Sequence, residues 1–311
     1  MALQPCLTYV GFCRLSCMTT RRTAPEPLRE AVLLWKAAGG NEQPPSRWSP
    51  TSWRRRFPEY ADYLSELPMP ISRADVAARC TDASDGPVQA TRAFIAAMVW
   101  GHGPVGYGAF RTKRILDENE DAGTTLASVA RIARDQGGPE AFAWLAKRQH
   151  RLHWLGVAFA TKYLFFCAAN GSGQPALVLD RLVRDWIFRS LDWPLSLDWD
   201  VGDYRDYVET VGTWAVELDI APGNLEMLIF QLAVNADPRS LWSAPELFAA
   251  TSSERPTLST DGMREGAAEL LEMLDDAAGM FASLATATDL EDVADFERGV
   301  RNLKRIVLMR R

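Results

Sequence analysis

The segment LGVAFATKYLFFCAANGSGQPALVLDRLVRDWI, from Leu155 to Ile187, combines an apolar helix, a glycine-rich loop, a short apolar run and a second helix. The apolar pattern before the loop predicts a buried helix over residues 152–169. Residues 176–179 (ALVL) are the best strand signal in the chain. Asp180 then precedes a helix predicted over residues 181–190, and Asp is a preferred N-cap residue. Because the other long segments also have helical spacing, the sequence predicts an all-α fold.

Lys162 is the only Lys, Arg, Asp or Glu within residues 152–169. A charged ammonium is costly to bury, and burial favours the neutral amine, which can attack sugar C1′ and form a Schiff base. The alternative is a lysine at a helix edge, with its stem on apolar surface and its ammonium in water. Asp180 also has two interpretations. It is an N-cap, or it is a rigidly held carboxylate that stabilises an oxocarbenium ion at C1′ or orients an attacking amine or water.

The order of hairpin, lysine, apolar helix, loop, apolar run, aspartate and helix resembles a motif of the 8-oxoguanine DNA glycosylase and endonuclease III superfamily. That motif is the helix-hairpin-helix with its Gly/Pro…Asp loop. The resemblance implies that Lys162 is the nucleophile and Asp180 its partner. It also implies the helix-hairpin-helix glycosylase fold, in which two helical halves flank a base-binding cleft. The likeness covers residues 90–240 and is greatest to bacterial proteins with the 8-oxoguanine-glycosylase fold, some of which defend against phages by excising modified bases.

Residues 94–116 resemble the family's paired helices, whose connecting loop enters the DNA at the flipped base. In this chain the loop is residues 101–108 (GHGPVGYG), and the alternative is a glycine-rich turn between two core helices. The chain also departs from the family. Its hairpin has Gly156 but lacks the second glycine of Leu-Pro-Gly-x-Gly, which donates backbone N–H groups to a phosphate. An iron–sulfur cysteine pattern and a β-rich N-terminal subdomain are not evident, which favours a base other than 8-oxoguanine.

Aromatic and basic side chains near these motifs are the candidates for DNA contact. The candidates for the base pocket or wedge are Trp100, His102, Tyr107, Trp154, Tyr163 and Phe166. Packing in the core is the alternative for the aromatic residues. The candidates for DNA-backbone contact are Arg111, Lys113, Arg148, Arg151 and Gly156. An ordinary solvated face is the alternative for the basic residues.

The formal net charge of −6 argues against nucleic-acid binding when taken alone. Residues 261–297, however, contain 11 acidic residues and one basic residue, which leaves the rest of the chain mildly basic. The acidic stretch is either a solvated helix face or a segment that competes for a basic groove. We predict three parts: an N-terminal extension with helices (1–85), a helix-hairpin-helix core (86–250) and an acidic helical region (251–311).

The five Cys and three His show no zinc or disulfide spacing, so no metal or other cofactor is expected. No apolar run reaches the ~18–20 residues that span a bilayer, and the N-terminus lacks a signal-peptide cleavage site. Met18 is an alternative start. These features predict a cytoplasmic protein that is not bound to membranes and has reduced thiols. We expect a monomer.

The predicted function is a DNA N-glycosylase, a hydrolase that flips a modified base out of double-stranded DNA, with or without AP lyase activity. The anti-phage likeness favours glucosylated hydroxymethylcytosine as the base. The first alternative is an 8-oxoguanine-type repair glycosylase with lyase activity. The second is a non-catalytic helical module that binds DNA or a protein partner, with Lys162 contacting a phosphate. The third is an all-α scaffold without a role on DNA.

Overall fold

The computed structural model describes residues 22–104, 107–169 and 171–234, with the Tyr107 side chain left out. The proposed start at Met18 and the acidic region 251–311, with its two predicted helices, lie outside these residues. Every regular element in the described part is a helix, which confirms the all-α prediction. The helices are α1 (Glu26–Ala37), α2 (Pro50–Arg56), a 3-10 helix (Pro58–Tyr60), α3 (Ala61–Ser65), α4 (Arg73–Arg79), α5 (Pro87–His102), α6 (Tyr107–Asp117), α7 (Ala122–Gln136), α8 (Gly138–Leu145), α9 (Val157–Ala168), α10 (Arg181–Leu191), α11 (Val201–Glu217) and α12 (Pro222–Val234).

Helices α5 and α9 form the centre of the hydrophobic core. Both are apolar around most of their circumference, as expected for a helix that is covered on all sides. Helix α5 packs against α4, α6, α7 and α9, and α9 also packs against α7 and α8. Helices α1 to α4 contribute to the same core, so residues before 86 pack on the predicted core segment rather than apart from it. The three-part division of the chain stays a prediction.

The predicted helix over residues 152–169 begins only at Val157. Trp154 has a φ of 70°, in the left-handed region that interrupts a right-handed helix, and Gly156 is an extended N-cap residue. The sequence pattern also predicts a helix over residues 138–149, but α8 ends at Leu145. The hairpin between α8 and α9 is therefore a loop of residues 146–156, and it places Lys162 well inside α9.

The predicted strand at residues 176–179 does not form. These residues are buried and form no regular element, and side chains rather than a neighbouring strand take their backbone hydrogen bonds. The Tyr204 hydroxyl donates to the Leu177 carbonyl at 2.9 Å and accepts from the Leu177 N–H at 3.2 Å. The Leu179 N–H donates to Thr161 Oγ1 at 3.0 Å. This bracing matters for the site, because the segment leads directly into Asp180.

No helix among the described residues is both long and apolar enough to cross a bilayer.

Candidate active site

Lys162 and Asp180 meet in the interior of the protein. The Lys162 ammonium nitrogen, Nζ, lies 3.0 Å from Asp180 Oδ2. Both residues are buried, with 8% and 9% of their surface exposed. Helix α9 supplies the lysine and the start of α10 supplies the aspartate, so the extended segment between them brings the two together. The structure therefore juxtaposes the two residues that the sequence singled out, while their catalytic roles stay predictions.

Asp180 is held in one orientation because both carboxylate oxygens are engaged. Oδ1 accepts the Val183 backbone N–H at 3.1 Å as the N-cap of α10, and Oδ2 accepts from Lys162. Burial would raise the pKa of Asp180. The charge of Lys162, its hydrogen bond and those from the Val183 and Leu182 backbone outweigh that effect and hold the pKa below its ordinary value. Asp180 is therefore a carboxylate at neutral pH, and it serves at once as a cap and as a fixed negative charge.

The Lys162 side chain passes along the end of α5. A Cβ added to Gly101 would lie 2.8 Å from Lys162 Cδ, closer than carbon atoms pack. On the other side, the Phe159 ring centroid lies 5.3 Å from Lys162 Nζ. Gly101 is needed here for its small size, whereas the sequence assigned it only to the glycine-rich loop.

The Lys162–Asp180 pair lies in the wall of a cavity of about 300 Å³. The end of α5 contributes Trp100 and His102 to the lining, and α12 contributes Glu226. A concave site with a few convergent polar groups beside charged residues is the usual form of a small-molecule site. The cavity beside Lys162 and Asp180 has room for a ligand the size of one nucleobase.

A second ion pair, between a half-buried arginine and a buried glutamate, lines the same cavity, and the sequence did not reveal it. Arg73 Nη2 donates to Glu226 Oε2 at 3.1 Å. Burial raises the pKa of Glu226, Arg73 opposes that rise, and the nearby charge of Asp180 adds to it. One signal could have found this residue: like Lys162 in α9, Glu226 is the single charged residue of an apolar helix, α12.

His102 and Trp100 lie in the lining, as two of the predicted pocket residues. The His102 ring stacks on Phe159 with centroids 4.0 Å apart. Burial, followed by the charges of Arg111 and Lys162, lowers the pKa of His102 to about 3, so its imidazole is neutral. Among the described residues, neither His102 Nε2 nor Trp100 Nε1 has a hydrogen-bond partner, although both atoms are buried. Buried polar atoms of this kind need an explanation, and a bound ligand is one.

The other predicted pocket residues lie elsewhere. Tyr163 is in the core, where its hydroxyl donates to the Leu126 carbonyl at 3.2 Å, so its assignment to the pocket is wrong. Phe166 does not line the cavity either, because it is buried behind Trp100 and supports that ring edge-on at 5.1 Å. Trp154 lies at the hairpin, where its Nε1 donates to Glu118. The backbone of Tyr107 begins α6, and its side chain lies outside the described part.

The predicted DNA-backbone residues divide into two groups. Arg111 lies at the hairpin, where Nη2 donates to the Trp154 carbonyl at 3.4 Å, close to Gly156. Arg148 and Arg151 are exposed on the loop that leads into the hairpin. Lys113 differs, because Glu59 at 3.1 Å and Asp117 at 2.6 Å balance its charge. The hairpin face therefore offers three arginines, while Lys113 is the weakest candidate for a phosphate contact.

A comparison with known protein families places this arrangement in context. A family model described as "Putative 8-oxoguanine DNA glycosylase OGG-like protein" matches residues 40–230. No curated protein and no solved structure matches the chain. The match spans more than half of the chain and includes the Lys162–Asp180 pair and the cavity beside it. The chain therefore belongs to the OGG-like family of DNA glycosylases.

Proposed function

We propose that this protein flips a modified base out of double-stranded DNA and cleaves its N-glycosidic bond, with Lys162 as the nucleophile and Asp180 as its partner. The observation that carries the proposal is the 3.0 Å contact between Lys162 Nζ and Asp180 Oδ2 in the wall of a nucleobase-sized cavity. Membership of a DNA glycosylase family supports the reaction type. A buried charged pair beside a cavity is also costly to maintain for stability alone.

The chemistry follows from the positions of the two groups. Lys162 gives up one ammonium proton, which the departing base takes up, and attacks as the amine: the Nζ–C1′ bond forms, the C1′–N bond breaks, and the base leaves with the bonding electrons. Asp180 cannot supply that proton, since its pKa lies below the ordinary value. Its fixed negative charge instead stabilises the positive charge that develops on the sugar. The resulting Schiff base would allow strand cleavage by β-elimination, which is the lyase reaction of the proposal.

Base flipping requires compensation for lost stacking, which costs a few kcal/mol. The Trp100 and His102 side chains in the lining offer polar atoms that lack partners within the described residues. Arg111, Arg148 and Arg151, which lie in or beside the hairpin, are the proposed contacts to DNA phosphates. The proposal thus assigns the base to the cavity and the DNA backbone to the hairpin face.

Within this reaction we infer modified cytosine as the base, with glucosylated hydroxymethylcytosine of phage DNA as the first case. In this proposal the protein is a defence enzyme that acts as a monomer in the cytoplasm. The proposal is supported by the likeness of the sequence to anti-phage glycosylases. A cavity of about 300 Å³ is at the small end for ligand sites. The cavity has room for the base itself. The second candidate is 8-oxoguanine, which the description of the matching family favours.

Borohydride trapping tests the proposal. The intact chain is incubated with duplexes that contain glucosylated hydroxymethylcytosine or 8-oxoguanine, and covalent complexes and abasic sites are measured. We expect trapping with the wild type and its loss in Lys162→Gln. Lys36→Gln is the matched control, because Lys36 is an exposed lysine on α1 that pairs with Asp219.

Two other outcomes would contradict the mechanism. Abasic sites without trapping would indicate a water-dependent glycosylase that relies on Asp180. The absence of both products would favour the non-catalytic DNA-binding module. In that case Lys162→Gln should weaken DNA binding and reduce the slope of log K against log salt by about one.

A further inference from the structure

Glu226 is a buried carboxylate with only one of its oxygens engaged. Its exposed fraction is 1%, and it lines the cavity beside the catalytic pair. The described residues give it a single hydrogen bond, from Arg73 Nη2 to Oε2 at 3.1 Å. Oε1 therefore keeps its acceptor capacity. A buried carboxylate in this condition is costly unless a donor reaches it, and a ligand in the cavity can supply that donor.

Arg73 is held in place by two hydrogen bonds besides the one to Glu226. Nε donates to Gln43 Oε1 at 2.8 Å and Nη1 donates to the Gly223 carbonyl at 3.2 Å. Its guanidinium carbon also lies 5.3 Å from the Trp100 ring centroid and 4.9 Å from that of Phe165. Arg73 is therefore a fixed support that orients Glu226 and holds the Trp100 ring beside it.

Trp100 provides the complementary group. Its Nε1–H is buried and has no acceptor among the described residues, although the residue lines the cavity. The Phe166 ring, 5.1 Å away and nearly perpendicular, fixes the indole from the core side. Two residues that line the cavity thus carry an unused acceptor and an unused donor, and both side chains contact Arg73.

We propose that Glu226 and Trp100 read the Watson–Crick edge of the flipped base. Glu226 Oε1 accepts from the exocyclic amino group, and Trp100 Nε1–H donates to an acceptor atom next to it. This inference rests on the proposed function and names its substrate class, which is a base that carries an amino group. A carboxylate is the natural acceptor for the cytosine amino group, whereas the carbonyl of a uracil or thymine ring would face it without a proton.

The engagement of Oε2 by Arg73 favours cytosine-type bases over guanine-type bases. A guanine edge presents two neighbouring donors, which suit both oxygens of a free carboxylate. Only one oxygen of Glu226 is free. A substituent on cytosine C5 leaves the Watson–Crick edge unchanged, so this contact selects the amino group and tolerates a modification at C5.

Equilibrium binding tests the inference. In a full-length Lys162→Gln background, which cannot turn over, fluorescence anisotropy compares duplexes that contain 5-hydroxymethylcytosine or 5-hydroxymethyluracil. Each base is placed opposite an abasic analogue so that the loss of base pairing is the same. We expect the amino base to bind about 5- to 150-fold more tightly, the range for one good polar contact to a base. Glu226→Gln should weaken this preference, because an amide can donate to a carbonyl as well as accept, while Trp100 Nε1–H still favours the unprotonated ring nitrogen of cytosine.

Two variants guard against misfolding as the explanation. Trp100→Phe keeps a ring against Phe166 and should weaken binding of the amino base, with the circular dichroism spectrum unchanged. Glu217→Gln removes the carboxylate of another Arg–Glu pair, with Arg29 on an exposed surface, and should leave the preference intact. Equal binding of the two bases, or a preference that Glu226→Gln leaves undiminished, overturns the inference. A preference found only between 8-oxoguanine and its counterpart without the amino group overturns the cytosine assignment.

Trapping on a preformed abasic site separates this inference from the proposed function. That reaction needs Lys162 but no base in the cavity. If wild type and Glu226→Gln trap at comparable rates while the binding preference is absent, the base-reading inference fails and the glycosylase proposal stands. If neither protein traps, the glycosylase proposal fails, and the binding comparison still decides whether Glu226 recognises the amino group.

Discussion

Gly101 is the point at which α5 touches the side chain of the proposed nucleophile, and Gly101→Ala tests how closely the site depends on that contact. The added Cβ would lie 2.8 Å from Lys162 Cδ and 3.4 Å from Phe159 Cε1. Carbon atoms pack at about 3.5–4.0 Å, so the lysine stem has to move by roughly 1 Å. Because the stem is flexible, the movement displaces the amine rather than the helices.

The expected result is a loss of reactivity without a loss of stability. Gly101 lies within α5 and does not have a positive φ, so its backbone accepts alanine. Alanine is favoured over glycine in a helix by up to about 1 kcal/mol. A displacement of about 1 Å in a reacting group can cost on the order of 100-fold in rate. We therefore expect Gly101→Ala to trap on a preformed abasic site about 10- to 100-fold more slowly, with an unchanged or slightly higher Tm.

The assay is single-turnover borohydride trapping beside thermal melting by circular dichroism. Gly212→Ala in α11 is the matched control, because a Cβ at Gly212 meets nothing within 4 Å. The control should trap at the wild-type rate. A wild-type rate in folded Gly101→Ala would refute the idea that contact with α5 sets the position of the amine. An equal loss in both variants would point to a general helix effect instead.

Three further predictions concern the supports of the site. Asp180→Ala leaves Lys162 buried without a partner and removes a helix cap, so urea unfolding should show a free energy of unfolding lower by about 3–5 kcal/mol. Asp180→Asn keeps an oxygen for the Val183 N–H and should lower it less. Equal losses in the two variants would contradict the capping role. Tyr204→Phe leaves the backbone N–H and carbonyl of Leu177 unsatisfied, so it should cost about 1–3 kcal/mol by the same measurement, and an unchanged midpoint would argue against the bracing. His102 has a pKa of about 3 when folded, below its unfolded value of about 6.5, so its stabilising contribution is complete above about pH 6.5 and is lost progressively as the pH falls towards 3. His102→Phe should therefore flatten the stability profile between those pH values, and an identical profile would contradict the burial of a neutral imidazole.

The sequence singled out Lys162 and Asp180 because each of them carries a local signal. Lys162 is a lone charge in an apolar helix, and Asp180 is an acidic residue at a helix start. The Arg73–Glu226 pair has only half of such a signal. Glu226 is also a lone charge in an apolar helix, but its partner is 153 residues away in the chain. Nothing local to Arg73 indicates that it reaches the interior, so the pair becomes visible only when the fold is known.

The errors among the aromatic residues have a geometric cause. Successive residues on a helix point about 100° apart, whereas residues four apart share a face. Tyr163 follows Lys162 directly, so its side chain cannot lie on the same face, and it packs edge-on against Phe94 at 5.5 Å instead. Phe166 shares the helix face of Lys162, but its ring packs behind Trp100 and does not line the cavity. Helical spacing alone could have excluded Tyr163 from the pocket. The exclusion of Phe166 depends on Trp100 of α5, which lies between Phe166 and the cavity, and it could not be predicted from spacing.

The side-chain hydrogen bonds to residues 176–179 and the two ion pairs at the cavity lead to the same conclusion about the site. A segment such as residues 176–179 would normally satisfy its backbone in a sheet, yet here Tyr204 and Thr161 take its hydrogen bonds. Because side chains satisfy this backbone, Asp180 lies at the cavity wall without a neighbouring strand that would occupy the cavity. Buried ion pairs add little stability, and apolar residues of similar size often do better in their place. Four charges around one cavity of about 300 Å³ are therefore explained better by recognition and chemistry than by folding.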